Sequence, residues 1–167
     1  GCRQPMRRPR RERCLPGAPE FIHGTCVALG RRAALLRGPS GSGKSDLALR
    51  FLFLARRGPA ALDPPALVAD DQVAIRRDGN RVLAAAPESI QGQIEVRGVG
   101  IVGVKLVAEA ELVLVVDLVD AGLVERFPPS DLTAQIAGID LPLLRLAPFE
   151  LSAPIKLALG LAGAVRR

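Results

Sequence analysis

An α/β domain on a mixed sheet is the fold class that this sequence predicts, and three observations predict it. Short apolar runs of strand length mix with two segments of helical periodicity, without strict βαβ alternation. A glycine-rich loop of the GxxxxGK[ST] type stands between an apolar strand and an amphipathic helix. The size and composition, 167 residues with 49% hydrophobic and 24% charged, suit one domain with a single substantial core that needs no disulfide or structural metal. The expectation is a P-loop-containing mixed sheet with flanking helices.

In chain order, residues 1–20 read as a basic, disordered tail and residues 21–167 as the folded domain. The tail holds Arg3, Arg7, Arg8, Arg10, Arg11 and Arg13 against Glu12 and Glu20, so most of the formal charge of +6 sits there. It has several prolines and no apolar periodicity. Residues 25–29 and 33–36 then form two strands around the turn Gly30-Arg31-Arg32. Leu47, Ala48, Phe51, Leu52 and Leu54 lie at helical spacing within 44–57, and Gly58-Pro59 closes that helix. Residues 60–65 are a loop, and 67–75 and 81–85 are strands around the turn Asp78-Gly79-Asn80. Residues 112–118 form an unbroken apolar strand covered on both faces. An irregular stretch follows Phe127-Pro128-Pro129, and 155–165 is a terminal helix.

Composition excludes several function classes. With no Trp or Tyr and only 3% aromatic residues, the chain lacks the stacking platforms that bind single-stranded nucleic acid; its five Phe residues are expected in the core, and no nucleic-acid partner is expected. There is no signal-type segment and no run near 18 apolar residues, so a cytoplasmic protein without a membrane partner is expected. Cys2, Cys14 and Cys26 have no CxxC spacing, which points away from a zinc site or disulfide framework. Cys26 lies in an apolar run and reads as a small buried hydrophobe.

Chemistry concentrates in Gly38-Pro39-Ser40-Gly41-Ser42-Gly43-Lys44-Ser45. Glycines let such a loop turn its backbone N–H groups toward phosphate oxygens, aided by the positive end of the following helix. Lys44 would meet the terminal phosphates and the Ser45 hydroxyl would join the shell of Mg²⁺. Phosphoryl chemistry also needs a carboxylate near that ion, and two strands offer one: Leu114-Val115-Val116-Asp117 and Leu67-Val68-Ala69-Asp70-Asp71. Adjacent carboxylates point to opposite sides of a strand unless the backbone bends, so Asp70 and Asp71 could divide metal and proton duties. Composition alone does not choose between the two strands. His23, the chain's single histidine, reads as structural or catalytic, and Gly24 beside it suggests tight packing near the loop.

Residues 98–103 match GxGxxG, with Asp117 about 20 residues further on, as in a dinucleotide fingerprint. The preceding Gln93-Ile94-Glu95-Val96-Arg97 alternates polar and apolar, whereas a fingerprint strand is continuously apolar. A half-exposed strand facing a site fits better, with Glu95 and Arg97 on one face. They could pair at the surface, or Glu95 could bind metal while the planar fork of Arg97 holds a phosphate.

Taken together, His23-Gly24, the loop 38–45, Val68-Ala69-Asp70-Asp71 and Ile94-Glu95-Val96-Arg97-Gly98-Val99-Gly100-Ile101 resemble the C-terminal catalytic domain of the HPr kinase/phosphorylase family in its short form. The resemblance covers residues 21–104, with weaker support through 112–118. It implies a nucleotide core similar to that of phosphoenolpyruvate carboxykinase, and an ATP- and Mg²⁺-dependent kinase of a serine on the phosphocarrier HPr. It also implies the reverse reaction, in which inorganic phosphate removes the phosphoryl group and leaves as pyrophosphate. By the same resemblance Lys44 contacts phosphate, Ser45 and Glu95 serve the metal, and Asp71 is the acid/base. Asp70 and His23 support it, Arg97 lines the phosphate site, and Asp117 becomes a structural strand end. A homo-oligomer, a hexamer in the family, is also implied. Two departures stand out: a basic tail replaces the separate N-terminal domain of longer members, and the family's Pro-Gly-Arg-Asn stretch is missing from the region of residues 141–148. The other readings of the loop are a small-molecule kinase or NTPase, and a nucleotide-sensing module without phosphoryl transfer.

Overall fold

The computed structural model describes residues 18–54, 63–87 and 92–163. Most of the expected basic tail, residues 1–17, lies outside the described residues, as do the Gly58-Pro59 helix stop and the end of the expected terminal helix. Eleven strands and two α-helices are described: β1 (Glu20–His23), β2 (Thr25–Leu29), β3 (Arg32–Arg37), α1 (Lys44–Leu52), β4 (Pro65–Ala69), β5 (Gln72–Asp78), β6 (Arg81–Ala85), β7 (Gln93–Val96), β8 (Gly100–Gly103), β9 (Glu109–Leu118), β10 (Thr133–Ile136), β11 (Ile139–Leu146) and α2 (Ala153–Leu161), with one turn of 3-10 helix at Ala121–Leu123 after β9. No helix among the described residues is long and apolar enough to cross a membrane.

Nine strands form one mixed sheet in the order β1-β5-β6-β9-β3-β2-β4, with β11 on β9 and β10 on β11. The ten-residue β9 organises it. One edge of β9 runs parallel to β3; the other pairs with β6 near Glu109–Glu111 and then, in parallel, with β11 at Val115–Leu118. The parallel strands β3, β9 and β11 therefore end at the same edge of the sheet.

Alternation along these strands feeds two separate cores. Val27, Ala34, Leu36, Leu114 and Val116 face a core completed by Leu47, Ala48 and Phe51 of α1 and by Leu157, Ala158 and Leu161 of α2. Cys26, Ala28, Ala33, Leu35, Leu112 and Val115 face a second core completed by other strands, including Val73, Ile75, Val82, Ile136 and Leu143. Both helices thus cover the same side, and curling of the sheet covers the other. Cys26 is fully buried, as its apolar surroundings suggest.

The structure departs from the sequence expectation in several places. The run 67–75 is two strands, because the chain bends at Asp70-Asp71 and β4 joins β2 while β5 joins β1 and β6. The stretch after Phe127 is irregular only as far as Thr133, where the β10–β11 hairpin begins. Helix α1 stops at Leu52 with Phe53 as its cap, short of residue 57, and α2 starts at Ala153, its Pro154 tolerated in the first turn, where its missing N–H has no helical partner to lose. Of the five phenylalanines only Phe51 is core; Phe21, Phe53, Phe127 and Phe149 are all more than half exposed. Phe51 sits at the inward position of α1, and the count of apolar residues carries no information about which way the others point.

Candidate active site

The glycine-rich loop follows β3 and turns into α1. Gly43 occupies the N-cap with φ 92°, a left-handed conformation, and a Cβ there would come 2.9 Å from Cζ of Phe149. Any side chain at this position meets both strain and a clash. Within the loop the Ser42 N–H donates to the Pro39 carbonyl at 3.1 Å. The Lys44 ammonium, mostly buried, donates to the carbonyls of Gly38 and Pro39 at 2.8 and 2.9 Å, which holds it over the loop. The Ser42 hydroxyl oxygen is buried without a hydrogen-bond partner among the described residues.

Beside this loop the β4–β5 bend supplies the twin carboxylates. Asp71 has φ 68°, one of two non-glycine residues at positive φ among those described, and this twist turns the two side chains to different places. Asp70 points at the loop: its Oδ1 accepts from Thr25 Oγ1 at 2.8 Å and from Ser45 Oγ at 3.1 Å. Asp71 points outward, three-quarters exposed, with Oδ1 3.3 Å from His23 Nδ1. The bend is pinned where the Gly24 N–H donates to the Asp71 carbonyl at 3.0 Å. Gly24 is needed for a close approach, since a Cβ on it would lie 2.8 Å from the Leu36 carbonyl oxygen. His23 ends β1, so it reaches the site from the sheet edge.

A third element closes the cavity. Strand β7 pairs with β8 as a separate two-stranded hairpin. Ile94 turns inward to the α1 core, while Glu95 in the strand and Arg97 in the turn face the site. The GxGxxG run is therefore a hairpin turn and its second strand, with no helix after it, and the strand-turn-helix context of a dinucleotide fingerprint is missing.

One cavity of about 920 Å³ is lined by Ser40, Gly41, Gly43, Lys44 and Ser45 of the loop together with His23, Asp70, Asp71, Glu95 and Arg97. Pro39 and Ser42 line an adjoining cavity instead, and Gly38 lies beneath the Lys44 ammonium. Asp117 lines neither; Arg37 grips it through a two-pronged ion pair at 2.8 and 3.0 Å. Sequence reasoning missed Thr25 and Phe149. A polar residue in the otherwise apolar run Thr25–Leu29 is a usable signal for the first; an exposed Phe has no such mark.

No group of three or more His, Cys, Asp or Glu side chains among the described residues is placed to hold a metal ion alone. The donors facing the loop are hard oxygens, the Ser45 hydroxyl and the Asp70 and Glu95 carboxylates. Such a set fits Mg²⁺ shared with phosphate oxygens and water, which is how that ion is usually bound, rather than a softer metal in a protein cage.

Comparison with known proteins bears on the same region. Residues 18–150 match the family model described as HPr Serine kinase C-terminal domain. The chain is 35% identical over 136 residues to the HPr kinase/phosphorylase of Prosthecochloris aestuarii, covering 75% of this chain and 37% of that protein. It is 44% identical over 90 residues to the HPr kinase/phosphorylase of Caldanaerobacter subterraneus subsp. tengcongensis, covering 53% and 27%. It thus spans well under half the length of the curated relatives it matches. The solved Hpr(Ser) kinase/phosphatase from Coxiella burnetii superimposes with a TM-score of 0.67 at 22% identity, covering 87% of this chain and 95% of that one, which shows a shared fold.

Proposed function

This chain belongs to the HPr serine kinase C-terminal domain family, and on that premise we propose that it transfers the terminal phosphoryl group of ATP to a serine of the phosphocarrier protein HPr. The observation that carries the proposal is the convergence of Lys44 and Ser45 with Asp70, Asp71 and Glu95 on one cavity. Phosphoryl transfer asks a protein mainly for positioning and for electrostatic stabilisation of the equatorial oxygens. Lys44 and the loop amides supply positive charge at the transferring group, and the Arg97 guanidinium faces it from the hairpin.

Serine is a poor nucleophile until its proton has somewhere to go. Asp71 is the carboxylate free to take it, because it faces outward where a protein substrate can approach, with His23 orienting it. As the serine oxygen bonds to phosphorus and the bond to the ADP oxygen breaks, the proton ends on Asp71. In the reverse direction Asp71 returns the proton to the departing serine oxygen while inorganic phosphate attacks, and pyrophosphate forms. Asp70 has a different task, since its two hydroxyl donors tie it to Ser45 and Thr25. Mg²⁺, when bound, would be held by Ser45 and Glu95 and would neutralise charge on the phosphate oxygens. We read the nucleotide core as similar to that of phosphoenolpyruvate carboxykinase, and the protein as a cytoplasmic homo-oligomer, hexameric as in the resemblance drawn above.

Radiolabel transfer from ATP to purified HPr tests the reading. Asp71→Asn is expected to lose transfer by roughly 10²–10⁴-fold while still binding nucleotide, and Lys44→Ala to lose nucleotide binding. Unchanged transfer in Asp71→Asn would remove the base assignment. ATP hydrolysis or metabolite phosphorylation without HPr labelling would favour the small-molecule kinase or NTPase, and binding with no transfer would favour a sensing module.

A further inference from the structure

Arg50, in the last turn of α1, reaches across to the turn that follows β11. Its Nη2 donates to the Pro148 carbonyl and its Nη1 to the Glu150 carbonyl, the latter at 3.2 Å. Its Nε donates to Asp46 Oδ2 at 2.9 Å, one helical turn back. The two carbonyls flank Phe149, so the planar guanidinium fixes the backbone on both sides of that residue. From the other direction the turn is tied to α2, where the Ala153 N–H donates to the Glu150 carbonyl at 3.0 Å and the Lys156 ammonium pairs with the Glu150 carboxylate.

The clamped turn packs on the mouth of the phosphate loop. A Cβ on Gly43 would lie 2.9 Å from Cζ of Phe149 and 3.2 Å from Cβ of Pro148, so both residues rest on the bare backbone at the start of α1. A glycine at positive φ rotates easily unless something is packed against it. The Lys44 and Ser45 amides follow directly, and an anion bound at the head of the helix meets amides whose direction depends on how Gly43 is held. Phe149 is itself 71% exposed and has little packing of its own to keep it there. The constraint comes from Arg50.

We infer that Arg50 is a positioning residue for the phosphate site: by clamping the Pro148–Glu150 turn it holds Phe149 against Gly43 and keeps the loop in its anion-binding shape. The inference rests on the phosphate-loop reading given above and adds the group that braces the loop from outside it. Such bracing raises affinity by removing the cost of ordering the loop when the anion arrives.

Equilibrium binding of inorganic tripolyphosphate is measured for the parent protein, Arg50→Ala, Arg50→Lys, Phe149→Ala, the double variant Arg50→Ala/Phe149→Ala, and Lys44→Ala. Neither Arg50 nor Phe149 belongs to the two cores. Arg50→Ala and Phe149→Ala are each expected to weaken binding about tenfold, and the double variant no further, because Arg50 acts through the Phe149 turn. Arg50→Lys keeps the charge beside Asp46 but lacks the fork, so it is expected to lose nearly as much as Arg50→Ala. Unchanged affinity in Arg50→Ala or in Phe149→Ala, losses that multiply in the double variant, or full affinity in Arg50→Lys overturns the inference while leaving the phosphate loop in place. Unchanged affinity in Lys44→Ala overturns the functional reading and this inference with it.

Discussion

Asp71 sits at a backbone angle that aspartate tolerates but does not prefer, and the cost is met where two carboxylates must face two ways. Asp71→Gly is therefore expected to keep or raise stability, by up to about 1 kcal/mol, while abolishing transfer to HPr; denaturation midpoints and transfer assays check the pair, and a destabilised variant would contradict the strain argument. Thr25 is fully buried and aims its hydroxyl at Asp70. Thr25→Val keeps the shape and removes the donor, so kcat is expected to fall about tenfold or more, with Thr25→Ser restoring most of it; equal losses in both variants would mean that packing, not the hydrogen bond, is what matters. Cys26 is different in kind. Burial pushes its thiol well above the ordinary value, so the folded protein keeps the proton where the unfolded chain gives it up, and stability falls as pH rises beyond about 8.5, by about 1.4 kcal/mol per pH unit. Cys26→Ala is expected to remove that increment from the slope between pH 8 and 10; identical slopes would contradict it. The placing of Lys44 and Ser45 at the head of a helix behind a glycine-rich loop was legible from sequence, because a local motif dictates that geometry. Thr25 was not, since its partner is 45 positions away.

Among the elements, those whose signal is local match their expected positions best. Strands β2, β3 and β6, the apolar centre of β9 and the loop before α1 all stand where periodicity and glycines put them. The β4–β5 break did not announce itself, because 67–75 is apolar on both sides of Asp70-Asp71 and only the pairing of β4 with β2 and β5 with β1 separates them. The β10–β11 hairpin was hidden for two reasons: Pro142 interrupts the strand pattern, and its turn uses Ala137 at φ 49° beside Gly138, so half of the turn signal is missing. Helix α1 holds a direct test of position over composition. Phe51 is fully buried and Phe53, two residues on, is 73% exposed. Phe51→Ala is expected to cost about 3–5 kcal/mol of unfolding free energy and Phe53→Ala less than about 0.5; comparable losses in the two variants would contradict the packing described for α1.

At the scale of the whole molecule, the sheet assembles the site from pieces far apart in sequence: the β1–β2 bend, the loop after β3, the β4–β5 bend and the β7–β8 hairpin. The two acidic strands that composition alone could not rank are separated by this assembly, because Asp70 and Asp71 reach the cavity and Asp117 is held by Arg37 across β3 and β9. Asp117→Asn is accordingly expected to cost about 1 kcal/mol of stability and to leave transfer within about twofold; a large loss of transfer with intact stability would reinstate Asp117 as the metal-side acid. The decisive measurement is a crystal structure with Mg²⁺ and a non-hydrolysable ATP analogue. The terminal phosphate is expected between Lys44 and the Asp70-Asp71 bend, with Glu95 facing it; a nucleotide bound with those carboxylates remote from its phosphates would contradict this arrangement.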